Sequence, residues 1–94
     1  MGNFRIQLTK SAVDDLNSIS NDQRQKILSD IKKLSADPLL FGSNIKKLRG
    51  FKRPLYRLRS GDYRVLYLVQ GNIVTIMRVI VRKDLERIIK RIRL

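Results

Sequence analysis

The sequence predicts a single α+β domain over residues 1–94, with elements in the order β-α-α-β-β-β-α. In several short segments apolar and polar residues alternate, which is typical of half-buried strands, whereas other segments repeat apolar residues at helical spacing. The chain has 94 residues, of which 43% are hydrophobic, and this is enough for one modest core. We therefore expect a mainly antiparallel sheet with a helical hairpin on one face and a C-terminal helix on the other.

The N-terminal half contains one predicted strand and two predicted helices. Residues 4–9 alternate apolar and polar side chains and should form the strand. Ser11, followed three residues later by Asp14, is a typical helix start, and Ser20 gives the same signal for a second helix. The apolar helix positions are Ala12, Val13, Leu16 and Ile19, then Ile27, Leu28, Ile31 and Leu34. The second helix should end before Pro38, because the residue that precedes a proline avoids the helical conformation.

The C-terminal half begins with a connector, residues 38–54, that the sequence predicts to be irregular and that carries many basic side chains. It is followed by three segments rich in β-branched and aromatic residues, which favour strands. These segments are residues 56–59, 63–69 and 73–82. The turn sequences Ser-Gly-Asp at 60–62 and Gln-Gly-Asn at 70–72 predict that the three strands form consecutive hairpins.

The last predicted strand is apolar on both faces, which is usual for a central strand that is covered on both sides. Strict alternation assigns its apolar residues to two sets, Ile73, Met77, Val79 and Val81 on one face and Val74, Ile76 and Ile80 on the other. Four apolar residues then recur at helical spacing, namely Leu85, Ile88, Ile89 and Ile92. A C-terminal helix formed by this segment should cover the second face of the sheet.

The formal net charge of +13 is concentrated in one half of the chain. Residues 1–45 contain six Lys/Arg and five Asp/Glu, a net charge of +1, whereas residues 46–94 contain fifteen and three, a net charge of +12. This asymmetry is typical of a polyanion-binding surface on a neutral scaffold, and a basic surface that serves only solubility is the alternative. The chain has no Cys and no His, which excludes disulfides and thiolate catalysis and removes the commonest general base.

No apolar run approaches 18 residues, and the N-terminus lacks a signal-peptide pattern, so we expect a cytoplasmic protein without a membrane span. Residues 83–94 would alternatively form a basic amphipathic helix on a membrane surface. This alternative is disfavoured because the same apolar stripe is needed to cover the sheet.

Arginines of the first predicted hairpin are the main candidates for a functional site. Arg57 and Arg59 should share one face of a strand, and Arg64 follows the turn. Guanidinium groups this close repel one another unless an anion lies among them, and phosphate is the simplest candidate. Arg78 and Arg82 share a parity in the last strand and would line the same concavity if the register permits.

Each arginine also has a purely structural alternative, in which it pairs with a carboxylate. The possible partners are Asp62, Asp84 and Glu86. The structural interpretation is favoured for Arg78, and phosphate binding is favoured for Arg64 and Arg82. Tyr63 and Tyr67 have the parity opposite to Arg64, which favours a place in the core over stacking on a base.

The sequence contains no paired carboxylates, nucleophile triad, glycine-rich phosphate loop or metal-binding cluster. An enzyme of this composition would act by electrostatics on a substrate that supplies its own nucleophile. RNA is such a substrate, because its 2′-hydroxyl can attack the adjacent phosphate, and arginines can orient the reactants and stabilise the anionic transition state. Arginine remains charged, however, and cannot act as the base.

Three motifs resemble the RelE/ParE superfamily of toxins from toxin–antitoxin systems. They are Lys-Leu-Arg-Gly at 47–50, Leu-Tyr-Arg-Leu-Arg at 55–59 and Gly-Asp-Tyr-Arg-Val-Leu-Tyr at 61–67. The resemblance covers nearly the whole chain and implies a RelE-like fold and a microbial cytoplasmic toxin that a small antitoxin neutralises. RelE-type members enter the ribosomal A site and cleave mRNA, whereas ParE-type members inhibit DNA gyrase.

The RelE-type pattern implies that four arginines bind the scissile phosphate region and stabilise the transition state. They are Arg57, Arg59, Arg64 and Arg82. Many relatives have a His before the last arginine, where this chain has Val81, and a Tyr a few residues later, where it has Leu-Glu-Arg-Ile at 85–88. Glu86 is a possible substitute as proton acceptor, and a solvated helix-surface carboxylate is the alternative.

We therefore expect a ribosome-dependent mRNA endoribonuclease that needs no cofactor or metal. The basic residues expected to dock on ribosomal RNA are Lys46, Lys47, Lys52, Arg53 and Lys83. The expected partners are a cognate antitoxin and a ribosome with mRNA in its A site, with operator DNA contacted only through the antitoxin. Two alternatives remain open: a gyrase inhibitor that acts by protein binding, which the missing His and Tyr favour, and a basic nucleic-acid-binding module without catalysis.

Overall fold

The computed structural model describes residues 3–39 and 44–92. Its strands are β1 (Arg5–Leu8), β2 (Ile45–Leu48), β3 (Leu55–Ser60), β4 (Tyr63–Gln70) and β5 (Ile73–Val81). Its helices are α1 (Lys10–Asn17), α2 (Asn21–Lys33) and α3 (Leu85–Ile89), the last of which follows a 3₁₀ turn at Arg82–Asp84. The strands form one sheet in the order β1-β5-β4-β3-β2, in which β1 is parallel to β5 and the other neighbours are antiparallel. The predicted α+β class is confirmed.

The two faces of the sheet carry separate apolar clusters. On the α1/α2 face, side chains of both helices, such as Leu16 and Ile27, pack with Tyr67 of β4. On the α3 face, Leu66 of β4 packs in a smaller cluster with Ile88 of α3. The predicted arrangement, with a helical hairpin on one face and the C-terminal helix on the other, is therefore confirmed.

The connector predicted to be irregular over residues 38–54 contains a strand, so this part of the prediction is wrong. β2 pairs antiparallel with β3, and its Ile45 lies opposite Leu58. Both residues are buried in the cluster under α1 and α2. An edge strand that exposes lysines has little apolar alternation, and this hides it in the sequence. Residues 40–43 of the connector lie outside the described part of the chain.

The helix boundaries differ slightly from the prediction. Thr9, and not Ser11, caps α1, because the Thr9 hydroxyl accepts a hydrogen bond from the Ala12 N–H at 3.1 Å. Ser20 occupies the N-cap position of α2 as predicted. Of the helices that the structure describes, none has the length and apolar character needed to cross a membrane.

A β-bulge interrupts the pairing of β4 with β5. Tyr67 lies opposite Ile76, but the preceding residue, Leu66, lies opposite Arg78. Met77 therefore has no partner on β4 and is the extra residue of the bulge.

The bulge overturns the predicted faces of the last strand. Val74, Ile76 and Val79 belong to the cluster under α1 and α2, whereas Met77 and Ile80 contribute to the α3 face. The prediction placed Met77 on the same face as Val79, and Ile80 on the same face as Val74 and Ile76. Both placements are wrong. Strict alternation fails here because one extra residue shifts every later side chain to the other face.

Candidate phosphate-binding site

Three arginines of the β3–β4 hairpin lie on the α3 face. Arg57 is opposite Leu66 on β4. Arg59 is opposite Arg64, which in turn lies opposite Ile80 on β5. Leu66 and Ile80 belong to the apolar cluster of the α3 face, so the alternation of the strands places all three guanidinium groups on that face.

Arg64 is the most enclosed of these arginines. Only 5% of the residue is exposed. Its Nη1 donates hydrogen bonds to the carbonyl oxygens of Gly61, at 3.0 Å, and of Tyr63, at 2.9 Å. One end of the guanidinium thus holds the β3–β4 turn, which fixes the position of its charge.

Arg82 approaches the same place from the end of β5. Its backbone N–H donates to the Asp62 carbonyl oxygen at 2.8 Å, which ties the end of β5 to the β3–β4 turn. Its side chain is exposed at the start of the 3₁₀ turn. Together with the three hairpin arginines it forms what we call the arginine cluster, Arg57, Arg59, Arg64 and Arg82.

The cluster is electrostatically strained. Burial lowers the pKa of Arg64 below its usual value, and the charges of Arg57, Arg59 and Arg82 lower it further, while Asp62 opposes them. Burial, and then the charge of Arg59, likewise lower the pKa of Arg57. Guanidinium groups nevertheless stay protonated in proteins, so the charges persist and repel one another.

Within the described residues, no carboxylate forms an ion pair with a member of the arginine cluster. The ion pairs that these residues form involve other basic side chains. The Nε of Arg57 is buried and has no hydrogen-bond partner among residues 3–39 and 44–92. A buried donor on a cation without a partner is costly, and an anion bound among the four guanidinium groups would satisfy it.

Arg78 does not belong to the cluster. Its Nε and Nη2 donate to the two carboxylate oxygens of Asp15 on α1, at 2.7 and 3.0 Å. The hydrogen bond to Asp15 raises the pKa of Arg78, although burial alone would lower it. The favoured interpretation of Arg78 as a structural residue agrees with this pair, but its partner is Asp15 and not one of the three carboxylates considered from the sequence.

The predicted docking residues are spread over both faces. Lys46 lies opposite Arg57 and shares the α3 face, whereas Lys47 lies opposite Tyr56, whose side chain packs on the α1/α2 face. The exposed residues Lys52 and Arg53 follow β2, and exposed Lys83 follows Arg82 in the 3₁₀ turn. Lys46 therefore extends the basic surface of the cluster, and Lys47 does not.

The tyrosines are structural. The rings of Tyr56 and Tyr67 stack with centroids 5.5 Å apart, and both lie in the α1/α2 cluster. The Tyr67 hydroxyl donates to the Pro38 carbonyl oxygen at 2.7 Å, and burial raises its pKa. The Tyr63 hydroxyl lies 3.0 Å from Gln23 Oε1. These positions match the core interpretation. None of the three tyrosines is therefore placed to serve the arginine cluster as a proton acceptor.

The arrangement can bind and polarise a phosphate but has few groups that could move a proton. Asp62, at the β3–β4 turn, is the carboxylate whose charge acts on Arg64, and sequence reasoning considered it only as an ion-pair partner. Glu86 is exposed on α3. Within residues 3–39 and 44–92, no group of Asp and Glu side chains is arranged to hold a metal ion.

Comparison with known families assigns this chain to a class of protein. The family model for the ParE toxin of the type II toxin–antitoxin system parDE matches residues 6–86, so the protein is a toxin of a toxin–antitoxin module. The chain belongs to the ParE toxin family within the RelE/ParE superfamily, and the predicted superfamily is confirmed.

Solved structures of such toxins share the fold. The RelE–RelB complex from Pyrococcus horikoshii OT3 matches at 28% identity and a TM-score of 0.73, over 85% of this chain and 96% of that one. The toxin–antitoxin complex RelBE2 from Mycobacterium tuberculosis matches at 26% identity and a TM-score of 0.74, over 85% and 99%. The chromosomal ParDE system from P. aeruginosa matches at 16% identity and a TM-score of 0.66, over 86% and 98%, which shows the fold alone. The search of curated proteins found no match.

Proposed function

We propose that this toxin is a ribosome-dependent mRNA endoribonuclease of the RelE type that inhibits translation in the cytoplasm. The observation that carries the proposal is the arginine cluster: four guanidinium groups without a carboxylate partner among the described residues, one of which has a buried and unpartnered Nε. Phosphate oxygens match this arrangement in charge and in hydrogen-bonding geometry.

In the proposed mechanism the 2′-hydroxyl of the mRNA attacks the adjacent phosphate and forms a 2′,3′-cyclic phosphate. The P–O5′ bond breaks, and the departing 5′-oxygen takes a proton from water. Arg64, fixed by its bonds to the turn, provides a rigid positive charge, while exposed Arg59 and Arg82 contact the phosphate oxygens. These contacts strengthen as the phosphate gains negative charge in the transition state, and this difference lowers the barrier. The arginines cannot accept the proton of the 2′-hydroxyl, so Asp62, Glu86 or a group of the ribosome would take it.

Basic residues around the cluster would dock the toxin on ribosomal RNA. Lys46 lies on the face of the cluster, and Lys52, Arg53 and Lys83 are exposed. Such contacts add affinity that depends on salt and carry no sequence specificity. Lys47 is also predicted to dock on RNA, but its place on the other face makes it the weakest member of the predicted set.

The cognate antitoxin would neutralise the toxin by covering this basic surface. Its helix would flank or displace α3, which is only five residues long and packs through a small apolar cluster. The RelE–RelB and RelBE2 structures are toxin–antitoxin complexes, which supports a partner of this kind. An antitoxin bound only to the α1/α2 face, far from the arginines, would contradict the proposed mode of neutralisation.

The second candidate is a gyrase inhibitor that acts by protein binding. The ParE description of the matching family favours it, as does the lack of His in a chain whose tyrosines are structural. In that case the arginine cluster would bind an acidic protein surface or the DNA held by the enzyme.

A paired assay distinguishes these functions. The toxin is added to a reconstituted translation reaction and, separately, to a DNA gyrase supercoiling reaction. Cuts in mRNA that require ribosomes support the proposal, whereas blocked supercoiling with intact mRNA supports the gyrase inhibitor. If neither effect occurs, both proposals fail and a non-catalytic nucleic-acid-binding module remains.

A further inference from the structure

The β-bulge of β5 is capped from outside the sheet by two side chains of the α1 segment. The Thr9 hydroxyl donates to the Met77 carbonyl oxygen at 2.9 Å. The Asp15 carboxylate accepts a hydrogen bond from the Val79 N–H, also at 2.9 Å. Met77 is the extra residue of the bulge, and Val79 lies two residues after it, where β5 has passed its last pair with β1, Leu8 with Ile76. Side chains of Thr9 and α1 therefore supply hydrogen bonds along the part of β5 that contains the bulge and has no β1 neighbour.

Arg78 holds the Asp15 carboxylate in position. The two side chains form a bidentate pair, and only 32% of the Arg78 side chain and 17% of the Asp15 side chain are exposed. A bidentate pair fixes both the place and the orientation of a carboxylate. Asp15 thus binds β5 twice just after the bulge, through the Val79 backbone and the Arg78 side chain.

The bulge determines the face on which Arg82 emerges. With the bulge, Ile80 is opposite Arg64 on the α3 face, and Arg82, two residues later, continues on that face. In an uninterrupted ladder every residue after Ile76 would move by one position, and Arg82 would fall on the α1/α2 face, away from the other arginines.

We propose that Asp15, assisted by Thr9, is a positioning residue that places Arg82 in the arginine cluster by stabilising the bulge. The inference rests on the proposed phosphate-binding role of the cluster. Asp15 needs no contact with the substrate, since it acts through the frame of β5.

The first test measures the frame of β5 directly by NMR. Asp15→Ala should weaken the cross-strand contacts between Arg64 and Ile80 and expose the Val79 N–H to hydrogen exchange. Asp14→Ala is the matched control, because Asp14 is the exposed neighbour and pairs only with Lys10 among the described residues. The proposal is wrong if Asp15→Ala retains the wild-type contacts and exchange protection.

A milder variant covers the case in which Asp15→Ala does not fold. Asp15→Asn keeps an acceptor for the Val79 N–H but cannot accept two charged hydrogen bonds from Arg78. We expect a partial loss of Val79 protection in this variant, and full wild-type protection would overturn the proposal.

The second test measures the affinity for a short single-stranded oligouridylate. Arg82→Ala should weaken binding and reduce the dependence of log K on log salt by about 0.7, which corresponds to one phosphate contact. Asp15→Ala should weaken it by the same factor, and the double variant by no more than Arg82→Ala alone. A merely structural Asp15 would instead lower the affinity equally in both backgrounds, and such additive losses would refute the positioning role.

The two tests separate this inference from the proposed function. If Arg82→Ala leaves the affinity for the oligonucleotide unchanged, the phosphate-binding role of Arg82 is wrong. The NMR contacts between β4 and β5 still decide whether Asp15 sets the frame.

Discussion

The two faces of the sheet differ in whether their polar side chains have partners within the described chain. On the α1/α2 face the inward-facing polar side chains are paired: Ser60 donates to Asp30 at 2.6 Å, and Tyr67 donates to the Pro38 carbonyl oxygen. On the α3 face four arginines lie together, and within the described chain they have no carboxylate ion-pair partner and the buried Arg57 Nε has no hydrogen-bond partner. The polar groups of the first face are thus satisfied by the protein, while the arginine cluster on the other face has no ion-pair partner in the described chain.

Arg78 and Arg64 show the same difference in two residues of one type. Arg78 is bound by a carboxylate, and this raises its pKa, whereas Arg64 is surrounded by like charges and its pKa is lowered. Both are arginines in the central strands, so residue type alone does not distinguish them. The environment makes one a structural residue and the other a candidate for substrate binding.

The largest expected effect is on activity and comes from the α3 face. Arg82→Ala or Arg59→Ala should lower ribosome-dependent mRNA cleavage by about 100-fold or more, because each removes a donor that stabilises the transition state. Growth inhibition should fall accordingly while antitoxin binding is largely retained. Arg5→Ala, an exposed arginine on β1, is the control and should remain toxic. Folded Arg82→Ala and Arg59→Ala variants with full toxicity would refute the site.

The next effect is on stability and comes from the α1/α2 face. Tyr67→Phe should lower the free energy of unfolding by about 1–2 kcal/mol, because it leaves the buried Pro38 carbonyl oxygen without its donor. Tyr63→Phe, which removes a more exposed hydroxyl, should cost less. Urea denaturation measures both values, and equal losses would show that this face does not depend on buried pairing.

A third effect is the pH dependence of the Asp30–Ser60 contact. Partial burial alone would raise the pKa of Asp30, but hydrogen bonds from Ser60, Lys26 and Lys33 together lower it below its usual value. A lowered pKa in the folded state means that the carboxylate stabilises the fold above pH about 4 and that this contribution is lost as the pH falls through the folded-state pKa.

Asp30→Asn should therefore destabilise the protein at pH 7 by about 1 kcal/mol, and the difference from wild type should shrink as the pH falls below about 4. Unfolding curves at several pH values test this, with Asp14→Asn, at an exposed position, as the control. A difference that does not change with pH would show that ionisation of Asp30 is irrelevant.

The smallest effect has the opposite sign and again concerns the α3 face. Arg59→Gln removes a charge that lowers the pKa of both Arg57 and Arg64, so it should raise the melting temperature. The corresponding gain in the free energy of unfolding should stay within about 1 kcal/mol and diminish at high salt, as expected for an exposed charge. Inorganic phosphate should raise the melting temperature of the wild type more than that of Arg59→Gln. A lower melting temperature for the variant would argue against mutual repulsion in the cluster.

Local periodicity predicted a large part of this protein. The alternation of the β3–β4 hairpin correctly placed Tyr67 in the core and Arg57 with Arg59 on the other face, because the period of two depends only on neighbouring residues. It failed in β5, where one extra residue separates Met77 from the face of Val79. β2 was missed because its two adjacent lysines hide the alternation around buried Ile45.

The sequence by itself determined the α+β class, the helical stripes, the concentration of charge in residues 46–94 and the shared face of the hairpin arginines, since all of these follow from composition and local repeats. Only the tertiary structure decided which arginine is neutralised and which is not. Asp15 and Arg78 are 63 residues apart in sequence, and no local pattern connects them. Because a contact between α1 and β5 also caps the bulge, the fold itself sets the face on which Arg82 joins the arginine cluster.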